Sequence, residues 1–208
     1  MDLTPEEVRV LGALIEKQRT TPDQYPLSLN AIRLACNQST NRDPIVEFDE
    51  ATIREALERL SRRRWTRLAS GAGSRATKYR HLLDEALGLD VAEISVLTVL
   101  MLRGPQTPGE LRARTERLHR FDGGDELRET IERLAARGLV AGIGRRPGQK
   151  EERYAHLMMV GDGQEEGPDP APAAAGVSLE ERVARLESEV ERLKSAVQAA
   201  ASAVKPHA

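Results

Sequence analysis

One thiol and four imidazoles, Cys36, His81, His119, His156 and His207, are the soft ligands of a 208-residue chain. No HExxH or CxxC spacing joins them, which argues against a zinc site. Cys36 falls on the inward face of an expected helix, the setting of a small buried thiol rather than of a nucleophile. The string GAGSRATK at 71–78 has the glycines and lysine of a phosphate loop without its GxxxxGK[ST] spacing. It falls between two expected strands and reads as a hairpin turn. No nucleophile, base and orienting group come together, so the expectation is a protein that is not an enzyme and holds no metal and no cofactor.

What remains is charge and hydrogen bonding. Arg62, Arg63, Arg64 and Arg67 precede the Gly-rich turn, and Arg75 and Lys78 lie in it and after it. Arg145, Arg146 and Lys150 fill a second turn of the same kind. Flexible basic loops can follow phosphates or enter a minor groove, which makes these residues the candidate nucleic-acid contacts. A solvated surface is the other reading. The polar string 37–43, with Asn37, Gln38, Asn41 and Arg42, offers two readings as well. One is a phosphate- or base-contacting loop. The other, which is favoured, is a network of caps that satisfies its own backbone.

The elements that must position these groups occur twice. Glu58-Arg59-Leu60 and Lys78-Tyr79-Arg80-His81-Leu82 return as Glu132-Arg133-Leu134 and Arg153-Tyr154-Ala155-His156-Leu157, offset by 74 and then 75 residues. That period is too long for a solenoid and indicates a duplicated domain. In the first copy Thr4-Pro5-Glu6-Glu7 is a capping box, followed by one apolar face of Val8, Leu11, Leu14 and Ile15. A second helix is expected over 28–37 and a third from about 49, with strands at 65–69 and 76–82. The second copy repeats this with helices at 91–102, from 107 (capping box Thr107 to Glu110) and at 125–137, then strands at 139–143 and 152–157. Three helices and a hairpin are the element order of a winged helix, a helix-turn-helix variant. The fold class expected is mainly α with small β-hairpins, α+β. Domain one covers 1–84 and domain two 85–160.

Residues 161–177 are rich in Gly, Pro, Ala and acid and read as a flexible linker. Over 178–204 Leu179, Val183, Leu186, Val190, Leu193 and Val197 repeat at alternating spacings of 4 and 3. Valine at a with leucine at d favours a parallel two-stranded coil, and Arg182–Glu187 and Glu189–Lys194 pairs between copies fit that register. The expected partner is a second copy joined through Val183, Leu186, Val190, Leu193 and Val197. A lone amphipathic helix docking on its own domains is the alternative.

Among long specific strings, Glu16-Lys17-Gln18, Thr21 to Leu27 (TPDQYPL), Ala35 to Pro44 (ACNQSTNRDP) and Leu102 to Arg112 (LRGPQTPGELR) carry a family likeness. Gly73-Ser74-Arg75 with Lys78-Tyr79, and Pro147-Gly148 with Arg153-Tyr154 and His156-Leu157, extend it. Over about 4–158 the chain resembles the uncharacterised YceH-like family of bacterial proteins. The resemblance implies a tandem winged-helix fold and implies no activity; the acidic linker and the heptads lie outside it.

The balance of charge bounds the partners. Residues 1–160 carry 26 basic and 24 acidic side chains, and the rest 5 and 9, so neither part is basic enough to announce nucleic acid by itself. Six aromatic residues are too few for a single-strand stacking platform. The acidic start of the chain has no apolar core for a signal peptide, no run approaches a membrane span, and a single cysteine suits a reducing compartment, so a cytoplasmic location is expected. The expected third helices begin Asp49-Glu50 and Asp125-Glu126 and continue with Glu55, Glu58, Glu129 and Glu132, acids that would oppose phosphate in a groove. Two functions follow. One is a dimeric protein that binds double-stranded DNA or acts in transcription, gripping phosphates with its wings. The other is an adaptor that docks a basic protein partner on its acidic third helices. The fold prefers the first.

Overall fold

Thr4 starts the first helix by the reciprocal pairing its sequence offers: Thr4 Oγ1 accepts from Glu7 N at 3.3 Å and Glu7 Oε2 accepts from Thr4 N at 2.7 Å. Pro5 needs no partner at the first helical position, and α1 runs Pro5–Thr20. The computed structural model describes residues 1–69, 77–144, 151–159 and 194. A short 3-10 turn, Pro22–Gln24, leads to β1, Leu27–Ser28. Ser28 then caps α2, Leu29–Cys36, through Ala31 N. Asp49 caps α3, Glu50–Arg62, through Thr52 N at 2.8 Å. The hairpin β2 (Thr66–Leu68) and β3 (Lys78–His81) follows, antiparallel, with β1 on the outer side of β3, in the order β1-β3-β2.

After α4, Leu83–Leu87, the sequence of elements begins again. A further capping box, Asp90 with Glu93, opens α5, Val91–Arg103. The box at Thr107 and Glu110 opens α6, Pro108–Thr115, and α7 spans Gly124–Ala136. β4 (Val140–Gly142) and β5 (Tyr154–His156) pair antiparallel. Gln106 exchanges two backbone hydrogen bonds with Tyr154, 3.0 and 2.8 Å, so a single residue stands beside β5 as β1 stands beside β3. Seven α-helices and small antiparallel sheets, among the described residues, make this a mixed α-plus-β chain.

Sequence periodicity gives α1 one apolar face, yet every residue from Glu7 to Ile15 is buried, and so is every residue of α5 from Ala92 to Leu102. The two helices pack on each other, while α2 and α3 cover α1 and α6, α7 and β5 cover α5. Apolar residues from both halves therefore form one cluster. Gly12 sets the approach of the pair: a Cβ there would lie 3.0 Å from Leu102 Cδ2 and 3.3 Å from Met101 Cβ. Leu3, fully buried, closes the unit by donating its amide to Met158 O at 3.0 Å. β1, α4 and the 3-10 turn are elements that periodicity does not predict, each too short to show a period. The heptad residues Val183, Leu186, Val190, Leu193 and Val197, and the linker, lie outside the described residues, as do Arg75, Arg145, Arg146 and Lys150.

Candidate nucleic-acid interface

Part of the polar string turns inward, while Ser39, Thr40, Asn41 and Asp43 stay exposed. The Arg42 side chain is fully covered, and its guanidinium meets Glu16 at 2.6 and 3.1 Å, Gln38 Oε1 at 3.0 Å and the carbonyls of Ala35 (2.8 Å) and Asn41 (2.8 Å). Asn37 imitates a strand partner, donating to Phe48 O at 2.8 Å and accepting from Phe48 N at 2.9 Å. Asn41 Oδ1 accepts from Arg103, and Asp43 N donates to Leu102 O at 2.9 Å, so the loop ties the end of α2 to the end of α5. Arg9 adds Nη2 to Pro44 O at 2.7 Å. Of the four candidates, Asn37, Gln38 and Arg42 are committed to this internal network and only Asn41 is well exposed.

The arginine run is placed differently. Arg62, Arg63 and Arg64 leave the end of α3 exposed, and Arg67 stands exposed on β2. Arg62 is 3.8 Å from Glu58, a loose pair between two exposed groups. Arg63 donates to Asp2 O at 2.9 Å and lies 5.7 Å from the Trp65 ring centroid, within cation–π range. Arg64 adopts φ 62°, the left-handed region. Arg67 sits directly opposite Arg80 on β3, and Arg80 is neutralised by Glu85. Lys78, which begins β3, is half-buried and has a partner of its own. Arg59 and Arg80 belong to this basic surface and were not singled out by sequence. Arg59 was legible, three residues before Arg62 on the same helical face. Arg80 needed the strand register.

Three acids of the third helices are balanced within their own helices. Glu55 pairs with Arg59 at 2.5 Å and Glu58 with Arg62, each four residues apart. On α7 Asp125 pairs with Arg128 at 2.6 Å, whereas Glu129 and Glu132 are exposed with no ion pair among the described residues.

The titratable groups do not form a catalytic set among the described residues. Burial pushes the Cys36 thiol up to about 12, out of nucleophile range. His81 is fully buried; its Nε2 donates to Gln18 Oε1 at 2.5 Å, its amide donates to the Tyr25 hydroxyl, and burial holds its pKa down to about 4 against the opposing pull of Asp84. His156 accepts from Met158 N at 3.3 Å and is likewise held near 4 by burial. His119 instead meets Glu126 at 3.2 Å and stacks edge-on against Phe121. These three histidines have separate neighbours, and no cluster of three or more metal-ligating side chains occurs among the described residues. β2 and β3 are antiparallel neighbours, so the GAGSRATK string joins two strands. No helix among the described residues is long and apolar enough to cross a membrane.

The chain is similar to a UPF0502 protein of Opitutus terrae, 47% identical over 190 residues, covering 88% of this chain and 83% of the relative. It is 49% identical over 194 residues to a UPF0502 protein of Geotalea daltonii, covering 89% of this chain and 88% of the relative. The UPF0502 protein YceH of Salmonella newport is 45% identical over 193 residues, with 89% of each chain covered. A family model described as "Protein of unknown function, DUF480" matches residues 3–149, and with these relatives it shows that the chain belongs to the DUF480, or UPF0502, family of YceH-like proteins.

Proposed function

We propose that the chain is a non-enzymatic, cytoplasmic tandem winged-helix protein that binds double-stranded DNA by its phosphates, with a C-terminal coiled coil joining two copies. Two sets of three helices and a hairpin, each with a strand or bridging residue outside the second hairpin strand, support the winged-helix reading. The observation that carries the DNA reading is Arg67, exposed on β2 while its cross-strand neighbour Arg80 is already paired with Glu85. A solvent-facing guanidinium there can meet a backbone phosphate. The exposed run Arg62 to Arg64 continues the same basic strip, and the ion pairs within α3 reduce the repulsion its acids would exert. Lys78, with Arg75, Arg145, Arg146 and Lys150 in the wings, completes the proposed contacts.

Fluorescence-anisotropy titration of the full chain with random-sequence duplex DNA at two salt concentrations tests this. Micromolar or tighter binding should appear with a steep salt dependence. Alanine at Arg145, Arg146 and Lys150 should weaken it and flatten the slope by about one unit for each phosphate no longer neutralised. Silence at low salt would refute it, because electrostatic attraction is greatest there. That outcome would favour the adaptor reading, for which the exposed Glu129 and Glu132 on α7 speak. A basic protein partner would then be lost on Glu55→Lys and Glu129→Lys.

A further inference from the structure

The junction between the first helix of a half and the end of its third helix is built twice and filled in two ways. In the second half Asp90 caps α5 with Oδ1, 2.7 Å from Glu93 N, and turns Oδ2 to Arg133 Nη2 at 3.0 Å. The buried Glu93 carboxylate takes Arg133 at 3.4 Å and Arg137 at 3.5 Å. Two carboxylates meet two guanidinium groups. Thr4, Glu7, Arg59 and Arg63 hold the matching positions in the first half. Threonine has one side-chain oxygen, and the amide of Glu7 already occupies it. Residue 4 offers no carboxylate to Arg59, which turns to the exposed Glu55. In place of Ala136 stands a third cation, Arg62.

These groups line a recess of about 260 Å³ with Asp2. Three arginines and two acids line it; Arg63 donates to Asp2 O at 2.9 Å, and neither carboxylate is ion-paired with an arginine among the described residues. Asp2 is 3.8 Å from the N-terminal amine, and Glu7 holds the Thr4 amide at 2.7 Å. We propose that the recess binds a phosphoryl oxyanion, held by Arg59, Arg62 and Arg63 where the Asp90 carboxylate stands in the second half. Guanidinium forks match phosphate oxygens in pairs, and the surface pairs Arg59–Glu55 and Arg62–Glu58 are weak enough to be exchanged. The oxyanion belongs either to a free phosphorylated molecule or to a nucleic-acid backbone, and the site does not depend on the DNA reading.

Calorimetric titration of the full chain with inorganic phosphate at constant ionic strength tests the recess. Saturable binding is expected, with the Kd raised at least about tenfold in Arg59→Ala/Arg62→Ala and also in Thr4→Asp. Aspartate keeps the helix cap and supplies the missing second oxygen, so its effect is not a folding defect. No saturable binding by the unaltered chain, or binding that both variants retain, overturns the proposal. With the site established, phosphate displaced by saturating duplex DNA makes the backbone the source. Phosphate retained in the presence of DNA makes it a separate molecule. Phosphate binding by a chain that ignores DNA sinks the DNA reading and leaves the recess standing.

Discussion

At the turn out of the third helix the two halves share their hydrogen bonds. Trp65 N returns to Leu60 O and Leu139 N to Leu134 O, each at 3.0 Å, after a residue of positive φ, Arg64 at 62° and Gly138 at 66°. The hairpins repeat too: Leu82 N meets Trp65 O at 2.7 Å and Leu157 N meets Leu139 O at 2.8 Å. A histidine sits at the same register in each, His81 opposite Thr66 and His156 opposite Val140. The halves part company in their polar groups. The second half closes its helix junction with ion pairs and holds its α6–α7 connection with the surface pair of His119 and Glu126. The first buries a cation network in its α2–α3 loop and leaves guanidinium groups exposed at its helix end. Apolar packing tolerates duplication with few changes, whereas charge is where the copies have specialised.

The largest effect should come from breaking the first half's loop. Arg42→Ala removes a fully covered guanidinium and strips the half-buried Glu16 carboxylate and the Ala35 carbonyl of that donor. A loss of about 3–5 kcal/mol is expected in urea denaturation, the usual cost of removing one partner of a buried pair. His119→Ala, at the corresponding loop of the second half, should shift the midpoint far less, because Glu126 is exposed to water. Equal losses would mean that the two loops are anchored alike and would remove the contrast.

Much of this framework was legible in the chain. The capping boxes at Thr4 and Thr107 formed as expected because their two partners are three residues apart and need nothing else. The 74–75 residue offset located both third helices and both hairpins. The polar string was harder. Its residue types admitted a ligand loop or a capping network, and the decision rested on Glu16, 26 residues earlier in sequence, coming within reach of Arg42. Burial of α1 and α5 on every side was also invisible to periodicity, since it depends on one helix covering the other. The asymmetry of the junction needed both halves built: Thr4 and Asp90 are each good helix caps, and only the three-dimensional neighbour reveals that the second oxygen of Asp90 matters.

Acid should act on both halves through the feature they share. His81 and His156 have pKa values held near 4 in the folded chain by burial, below their ordinary 6.5. The folded state keeps them neutral, while the unfolded chain takes up protons as pH falls through 6.5. Their stability contribution is therefore complete above about pH 7 and is lost between pH 6.5 and 4, about 3 kcal/mol for each histidine. Denaturation midpoints at pH 7.5, 6 and 4.5 should fall in that order, and His156→Gln should flatten about half of the slope. A midpoint independent of pH over this range would show that neither ring is held neutral by burial and would remove the feature that the halves share.

The smallest expected effect separates the two halves most cleanly. Arg64 holds the left-handed backbone that Gly138 adopts without penalty, and a side chain there costs about 1–2 kcal/mol. Among the described residues the Arg64 guanidinium has no hydrogen-bond or ion-pair partner that offsets that cost. Arg64→Gly should thus leave the chain as stable as before or raise its stability by up to about 1 kcal/mol, since glycine also gives the unfolded chain more freedom. Gly138→Arg should lower stability by about 1 kcal/mol. If a cation is retained at residue 64 for a phosphate, the glycine variant gains stability while its DNA affinity falls and its salt slope loses about one unit. A stability loss in Arg64→Gly would mean that the side chain works for the fold, and the strain at the end of α3 would no longer argue for a ligand.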